Sequence, residues 1–186
     1  MGTEFQGTTI LMVRHNGQVA VCGDGQVSFN SVVMKGGAKK VRRLHEDKII
    51  CGVAGSTADA FSLMEHLENR LTMYSGNLVR AAVELAKSWR TDKILRRLEA
   101  MILACDAKHM FLISGTGDVI EPDDEVLAIG SGGFYALAAA KAMLRHSKTL
   151  TAGEIATEAL KIASEICVYT NDNFTLEVLE TVPSKA

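Results

Sequence analysis

Apolar residues recur along this chain with two different periods, and the switches between them divide it. Residues 8–14 (TTILMVR) are mostly β-branched or apolar and end at His15-Asn16-Gly17, so they read as a strand closed by a turn. Residues 18–22 (QVAVC) read as its hairpin partner. Gly23-Asp24-Gly25 follows as a tight turn whose glycines would permit positive φ. Strand-like runs continue at 27–29, 32–35 and 40–44, and 48–54 (KIICGVA) is the most apolar strand of the first half.

The period changes at Gly55-Ser56-Thr57. Ser56 or Thr57 can cap a helix in which Ala58, Phe61, Met64, Leu67 and Leu71 form one face, closed by Ser75-Gly76. Asn77 can cap the next, with Leu78, Ala81, Ala82, Leu85 and Trp89 on its face. Strands resume at 100–106 and 109–114, turn at Gly115-Thr116-Gly117-Asp118, and continue the sheet at 119–121 and 126–129. Gly130-Ser131-Gly132-Gly133 leads into an alanine-rich helix. Thr151 and Glu154 have capping-box spacing ahead of another helix, and a last strand runs over about 174–182. Strands, two helices, strands, two helices and a strand do not alternate singly, which disfavours a doubly wound parallel sheet. Two stacked antiparallel sheets, each covered outside by a helix pair, satisfy the order: an α+β, four-layered αββα sandwich.

Composition narrows the function. The chain has 186 residues, 47% apolar and 23% charged, ordinary for one globular domain with a sizeable core. Its net charge of −2 supplies no basic field for nucleic acid, and no apolar run reaches the length of a membrane span. Local basic runs (Lys39-Lys40-Val41-Arg42-Arg43 and Arg96-Arg97) read as solvated faces with respect to DNA or RNA. Cys22, Cys51, Cys105 and Cys167 are far apart in apolar stretches, as expected of reduced, buried thiols rather than a zinc knuckle. The five histidines form no metal-binding spacing, so no catalytic transition metal is expected.

The chemistry is sought at residue 8. Residues 1–7 are too short and polar for a signal peptide and read as a leader, though Glu4-Phe5 also fits a vector-derived pair. Were the Gly7–Thr8 bond cut, Thr8 would carry a hydroxyl nucleophile and a free α-amine as its general base. The plain alternative is an edge strand that begins with two threonines. An N-terminal nucleophile also needs a cation to keep the amine neutral, and Lys40 is a candidate, since a nearby ammonium lowers an amine pKa. Asp24 could hold Lys40, and the N–H of Gly52, a costly glycine in a strand interior, could serve an oxyanion hole. Singly, each has an ordinary reading: an exposed lysine, a turn aspartate, a packing glycine. Gly130-Ser131-Gly132-Gly133 could hold an anion at a helix start but fits neither phosphate-loop pattern, and helix packing with Ser131 near a site is the simpler reading.

Together, several stretches resemble the HslV family. They are Thr8-Thr9-Ile10, Gly23-Asp24-Gly25-Gln26-Val27, Val33-Met34-Lys35-Gly36, Lys39-Lys40-Val41-Arg42-Arg43-Leu44, Ala54-Gly55-Ser56-Thr57-Ala58-Asp59-Ala60, Glu84-Leu85-Ala86-Lys87, Trp89-Arg90-Thr91-Asp92 and Ile129-Gly130-Ser131-Gly132-Gly133. HslV is the proteasome-like peptidase of the two-component HslVU (ClpQY) protease, and the match runs from residue 8 to about 174. The resemblance implies a proteasome β-subunit-like, N-terminal-nucleophile hydrolase fold, with residues 1–7 as leader and 8–186 as one peptidase domain. It implies Thr8 as the nucleophile, Lys40 and Asp24 supporting it, Ser131 beside the site and Gly52 as the oxyanion glycine. It further implies two stacked hexameric rings and an HslU (ClpY) AAA+ ATPase, which uses the ATP and delivers unfolded proteins. No organic cofactor is implied, but a structural Na+ on the carbonyls of Ser164, Cys167 and Thr170 is. Lys35, Arg42 and Arg43 are candidate contacts for the ATPase. A bacterial-type cytoplasm is the expected location, or in a eukaryote the mitochondrial matrix. The sequence departs from the family pattern at Phe134 (usually proline), Gly37 (often asparagine) and Ser164 (usually small and apolar); none is a catalytic group. Two other functions stay open: a non-catalytic ring subunit with Thr8 blocked by its leader, and an amidase of the same class acting on small molecules.

Overall fold

The computed structural model describes residues 5–6, 8–98 and 100–181. The first half carries β1 (Phe5–Gln6), β2 (Thr9–His15), β3 (Gln18–Gly23), β4 (Val27–Phe29), β5 (Val32–Lys35), β6 (Val41–Leu44) and β7 (Ile49–Gly55), then α1 (Thr57–Met73) and α2 (Leu78–Thr91). After a 3-10 turn at Leu95–Arg97 come β8 (Ala100–Cys105), β9 (Met110–Ser114), β10 (Val119–Ile120) and β11 (Val126–Gly130). The chain continues through α3 (Gly133–His146), α4 (Ala152–Ile166) and β12 (Thr175–Glu180).

These elements build the expected sandwich. One sheet has the order β10-β9-β8-β7-β6 and the other β11-β2-β3-β12. Alternation along the strands gives each sheet two apolar faces. Ile10, Met12, Val19, Val21, Val41, Ile50 and Leu103 meet between the sheets. On the outer face of the first sheet, Cys51, Val53, Ile102 and Ala104 pack under Leu63, Leu67, Leu71, Leu85 and Trp89 of α1 and α2. On that of the second, Leu11, Val13, Ala20 and Cys22 pack under Ala136, Ala140, Ile155, Ala159 and Ala163 of α3 and α4. Small residues on α3 and α4 let these helices lie close together, whereas large ones fill the α1–α2 layer. The four cysteines are buried free thiols, and desolvation raises the Cys22 pKa to about 12, so it stays protonated.

Local signals mostly hold. The Asn77 side chain accepts from Arg80 N at 2.9 Å, and both bonds of the Thr151–Glu154 capping box form. The structure also corrects several expectations. Ser56 is the N-cap of α1 but its side chain makes no capping bond, and the Thr57 side chain lies outside the described residues. β11 does not continue the sheet of β8 to β10; it crosses the sandwich to pair with β2, with Gly130 opposite Thr9. The segment expected to be a leader, which has no periodic pattern, contributes β1, pairing antiparallel with β4 as Phe5 opposite Phe29 and Gln6 opposite Ser28. Backbone pairing needs no side-chain period, so nothing in the leader's composition announced it. The end of the last strand expected at Val182 lies outside the described residues.

Candidate active site

The site forms where β2 begins, between the tip of β11 and the turn after β3. Thr8 precedes β2 and is 7% exposed. Its carbonyl accepts the Ser131 N–H at 2.9 Å and the Ser131 hydroxyl at 3.4 Å. That approach is close enough to dictate the residue at 130. Gly130 has φ +91°, and a Cβ there would lie 1.8 Å from the Thr8 carbonyl oxygen. Thr9 completes the fastening. Its hydroxyl accepts the Gly132 N–H at 2.9 Å and shares a hydrogen bond of 2.7 Å with the Thr170 hydroxyl. The N–H groups of Ser131 and Gly132 therefore hold the 8–9 backbone and hydroxyl, in keeping with a helix-entry loop that sets Ser131 beside the site and leaving these two donors engaged within the chain.

Asp24 is the hub of the site. It is 1% exposed, and both carboxylate oxygens are engaged. Oδ1 accepts the Thr9 N–H at 2.7 Å and Lys40 Nζ at 3.0 Å, while Oδ2 accepts the N–H of Gln26 at 2.9 Å and of Asn171 at 3.3 Å. A buried carboxylate is tolerable only with such a set of donors and a countercharge. Lys40, 8% exposed, also donates to the Gln26 carbonyl. Burial lowers the Lys40 pKa, and the attraction of Asp24 and its hydrogen bond work against that. Asn171 braces the turn from outside: its Oδ1 accepts Gly25 N at 3.0 Å and its Nδ2 donates to the Gly36 carbonyl at 2.8 Å. Neither Gly23 nor Gly25 has the positive φ expected of the turn. Gly25 is required by proximity instead, since a Cβ would stand 2.3 Å from the Gly36 oxygen.

Thr8 and Lys40 line one narrow pocket with Val27, Lys39, Val53, Gly55, Ala60, Phe61 and Met64. Thr8, Lys40, Asp24 and Ser131 are thus brought together from four separate stretches. Gly52 lies in β7, one residue before the pocket-lining Val53, and has a packing reason to be glycine: its Cβ would meet Ile10 Cγ2 at 2.7 Å and Val21 Cγ1 at 3.3 Å. Sequence reasoning missed three supports of the site. Thr9 and Thr170 act through their hydroxyls, where only a carbonyl role had been assigned to Thr170, and Asn171 had no signal at all. The adjacent threonines Thr8-Thr9 were a usable hint, because a strand-start hydroxyl is a ready partner for a neighbouring loop.

The candidate partner contacts separate. Lys35 in β5 and Arg42 in β6 are exposed. Arg43 is spent inside the fold: it donates to Glu177 at 2.6 Å, the Val178 carbonyl at 2.7 Å and the Asp47 carbonyl at 3.1 Å, tying β6 to β12 across the sandwich. Its expected role in partner contact is corrected accordingly, because a guanidinium with these three acceptors has little left for an incoming carboxylate. Phe134, at the start of α3, is 83% exposed, so its substitution for proline disturbs no packing within the chain.

A buried lysine–aspartate pair next to a threonine at the head of an inner strand, in a four-layered αββα sandwich, defines an N-terminal-nucleophile hydrolase of the threonine peptidase class. The chain belongs to the proteasome subunit family, whose model matches residues 4–179. It is 58% identical over 181 residues to the ATP-dependent protease subunit HslV of Oceanobacillus iheyensis, covering 97% of this chain and 100% of that one. It is 59% identical over 181 residues to the HslV of Neorickettsia sennetsu, covering 97% and 96%. Among solved structures, HslV from Trypanosoma brucei superposes with a TM-score of 0.87 at 48% identity, over 92% of this chain and 99% of that one. Thiobacillus denitrificans BPH, at 20% identity and a TM-score of 0.72 over 95% and 100% of the two chains, shares the fold.

Proposed function

We propose that this chain is the peptidase subunit of an ATP-dependent protease of the HslV kind, with Thr8 as its nucleophile. The observation that carries the reading is the buried Asp24–Lys40 pair in the pocket that Thr8 lines. Cleavage of the Gly7–Thr8 bond frees the α-amine, which takes the proton from the Thr8 hydroxyl as that oxygen attacks the substrate carbonyl. The Lys40 ammonium disfavours a second positive charge and so keeps the amine available as a base. Asp24 holds the ammonium and, through the Thr9 N–H, the backbone beside the nucleophile. Ser131 fixes the Thr8 carbonyl. The oxyanion role expected of Gly52 is corrected: it is paired on both sides of β7, with Val41 and Leu103, its N–H belongs to the β7–β8 ladder, and it lies outside the pocket lining. With residues 1–7 attached, the nitrogen of Thr8 is an amide and no base, and β1 runs along β4, so the leader-bearing chain is an inactive precursor.

The partner is an HslU-type AAA+ ATPase that unfolds protein substrates, and the working assembly is two stacked hexameric rings in a bacterial-type cytoplasm or a mitochondrial matrix. Exposed Lys35 and Arg42 suit a carboxylate-ended segment of that partner. A structural Na+ fits the end of α4. Ser164 and Cys167 lie at its C-terminus, where carbonyls lack helical partners and carry partial negative charge, and Thr170 closes the following turn with its N–H on the Cys167 carbonyl at 3.0 Å. Neutral oxygen donors of this kind suit a hard monovalent cation, which would brace the loop carrying Thr170 and Asn171.

The test combines intact mass with peptide turnover. The purified chain should lose residues 1–7 and then cleave a short fluorogenic peptide, faster when a peptide copying the ATPase's C-terminal tail is added without ATP. A chain that keeps its leader yet turns over substrate, or a processed chain that turns over none with or without the tail, would overturn the assignment.

A further inference from the structure

One wall of the substrate pocket is held from outside by a charge. Phe61, in the second turn of α1, lines the pocket together with Thr8 and Lys40 and is 42% exposed. The guanidinium carbon of Arg42 sits over its ring, 4.5 Å from the centroid. Strand geometry explains the meeting. Val53 N donates to the Lys40 carbonyl at 3.1 Å, which continues the β6–β7 ladder one residue before Val41. Residues 40, 42 and 44 therefore share a face, the one turned to α1 and α2, where Leu44 joins the helix-side core. Val41, between them, points into the core between the sheets. Lys40 and Arg42 are consecutive outward steps on one strand face. The first reaches the pocket directly and the second reaches it through an aromatic ring.

From this geometry we infer that Arg42 is a positioning residue for the substrate pocket, setting the place of the Phe61 ring and so the size of side chain the pocket accepts. The inference deepens the proposed peptidase function and rests on it. Phe61 has no polar atom to anchor it and is too exposed to be fixed by packing alone, so the cation over its face decides between neighbouring ring positions. Arg42 is itself exposed and suits carboxylates. Anything that draws the guanidinium outward would release the ring, so the exposed cationic face and the substrate pocket are joined through a single contact.

The test uses Thr8-started protein and fluorogenic peptides that differ only in the residue before the cleaved bond: alanine, leucine or phenylalanine. The readout is the ratio of kcat/KM between the phenylalanine and alanine peptides, which a general loss of stability would not move. Arg42→Gln should change that ratio by about two- to five-fold, the scale of one exposed cation–π contact. Arg42→Lys, which keeps a cation, should change it less, and in a Phe61→Leu background Arg42→Gln should have no further effect. An unchanged ratio in Arg42→Gln, or the same shift with and without the Phe61 ring, would overturn the inference while leaving the peptidase assignment standing. Wild-type protein that cleaves none of the peptides would overturn the assignment and this inference together.

Discussion

Gly130→Ala is the sharpest test of how the nucleophile is held. The added methyl would lie 1.8 Å from the Thr8 carbonyl oxygen and 2.7 Å from its carbon. Ordinary contact needs roughly 3.4 Å or more between such atoms, so the Thr8 peptide or the 130–132 loop must shift by more than an ångström. The φ of +91° adds strain that an L side chain meets and glycine does not, worth about 1–3 kcal/mol. The shift also breaks the 2.9 Å bond from Ser131 N to Thr8 O, costing about 1–3 kcal/mol for a buried carbonyl left unsatisfied. The sum is about 2–6 kcal/mol of stability. For catalysis, a displacement near 1 Å at a reacting group costs about 100-fold in rate. Gly133→Ala is the internal control: its Cβ would meet nothing nearer than 3.5 Å, and alanine favours the first turn of α3. Denaturant unfolding, leader removal by mass and kcat on a fluorogenic peptide should all separate the two variants. Processing and turnover by Gly130→Ala equal to those of Gly133→Ala would refute the argument that the glycine is there to admit Thr8.

Four further outcomes are expected. Thr8→Ala should keep its leader and lose peptide hydrolysis while folding normally, and Thr8→Ser should retain activity; mass and turnover check both, and an active Thr8→Ala would remove Thr8 from the mechanism. Lys40→Ala should lower the rate severely and move the acidic limb of the residual pH–rate profile upward, because without the nearby cation the amine holds its proton to higher pH. Asp24→Asn should bring the alkaline limb to lower pH: burial already lowers the Lys40 pKa, and removing the opposing anion lowers it further, so the ammonium is lost earlier as pH rises. A limb unmoved or moved upward would count against that coupling. Arg43→Gln should cost about 1–3 kcal/mol in denaturant unfolding through lost bonds to Glu177 and Val178, with peptide turnover and its response to a tail peptide intact; a lost response with unchanged stability would return Arg43 to the partner surface.

The sequence by itself determined the layers and, through combined motifs, pointed to the groups proposed to react. Period-2 and period-3.6 runs specify which faces are apolar, and faces that must be buried leave few ways to stack two sheets and two helix pairs. Asn77 and Thr151–Glu154 acted where expected because capping bonds are local, closing over three residues without help from the rest of the fold. Tertiary structure decided whatever depends on distance between remote segments. β11 lies beside β2 rather than β10, which sets Gly130 against Thr9 and Ser131 against Thr8. Asn171 reaches the Asp24 turn across 147 positions of sequence, a contact no local pattern encodes. Lys40, Arg42 and Arg43 look alike in one basic run, yet the fold buries the first, lays the second on an aromatic ring and ties the third to another strand. Residue type fixes what such a side chain can do, but its partners are chosen by strand alternation and sheet stacking, because a charge takes its energy from whatever the fold brings within a few ångströms.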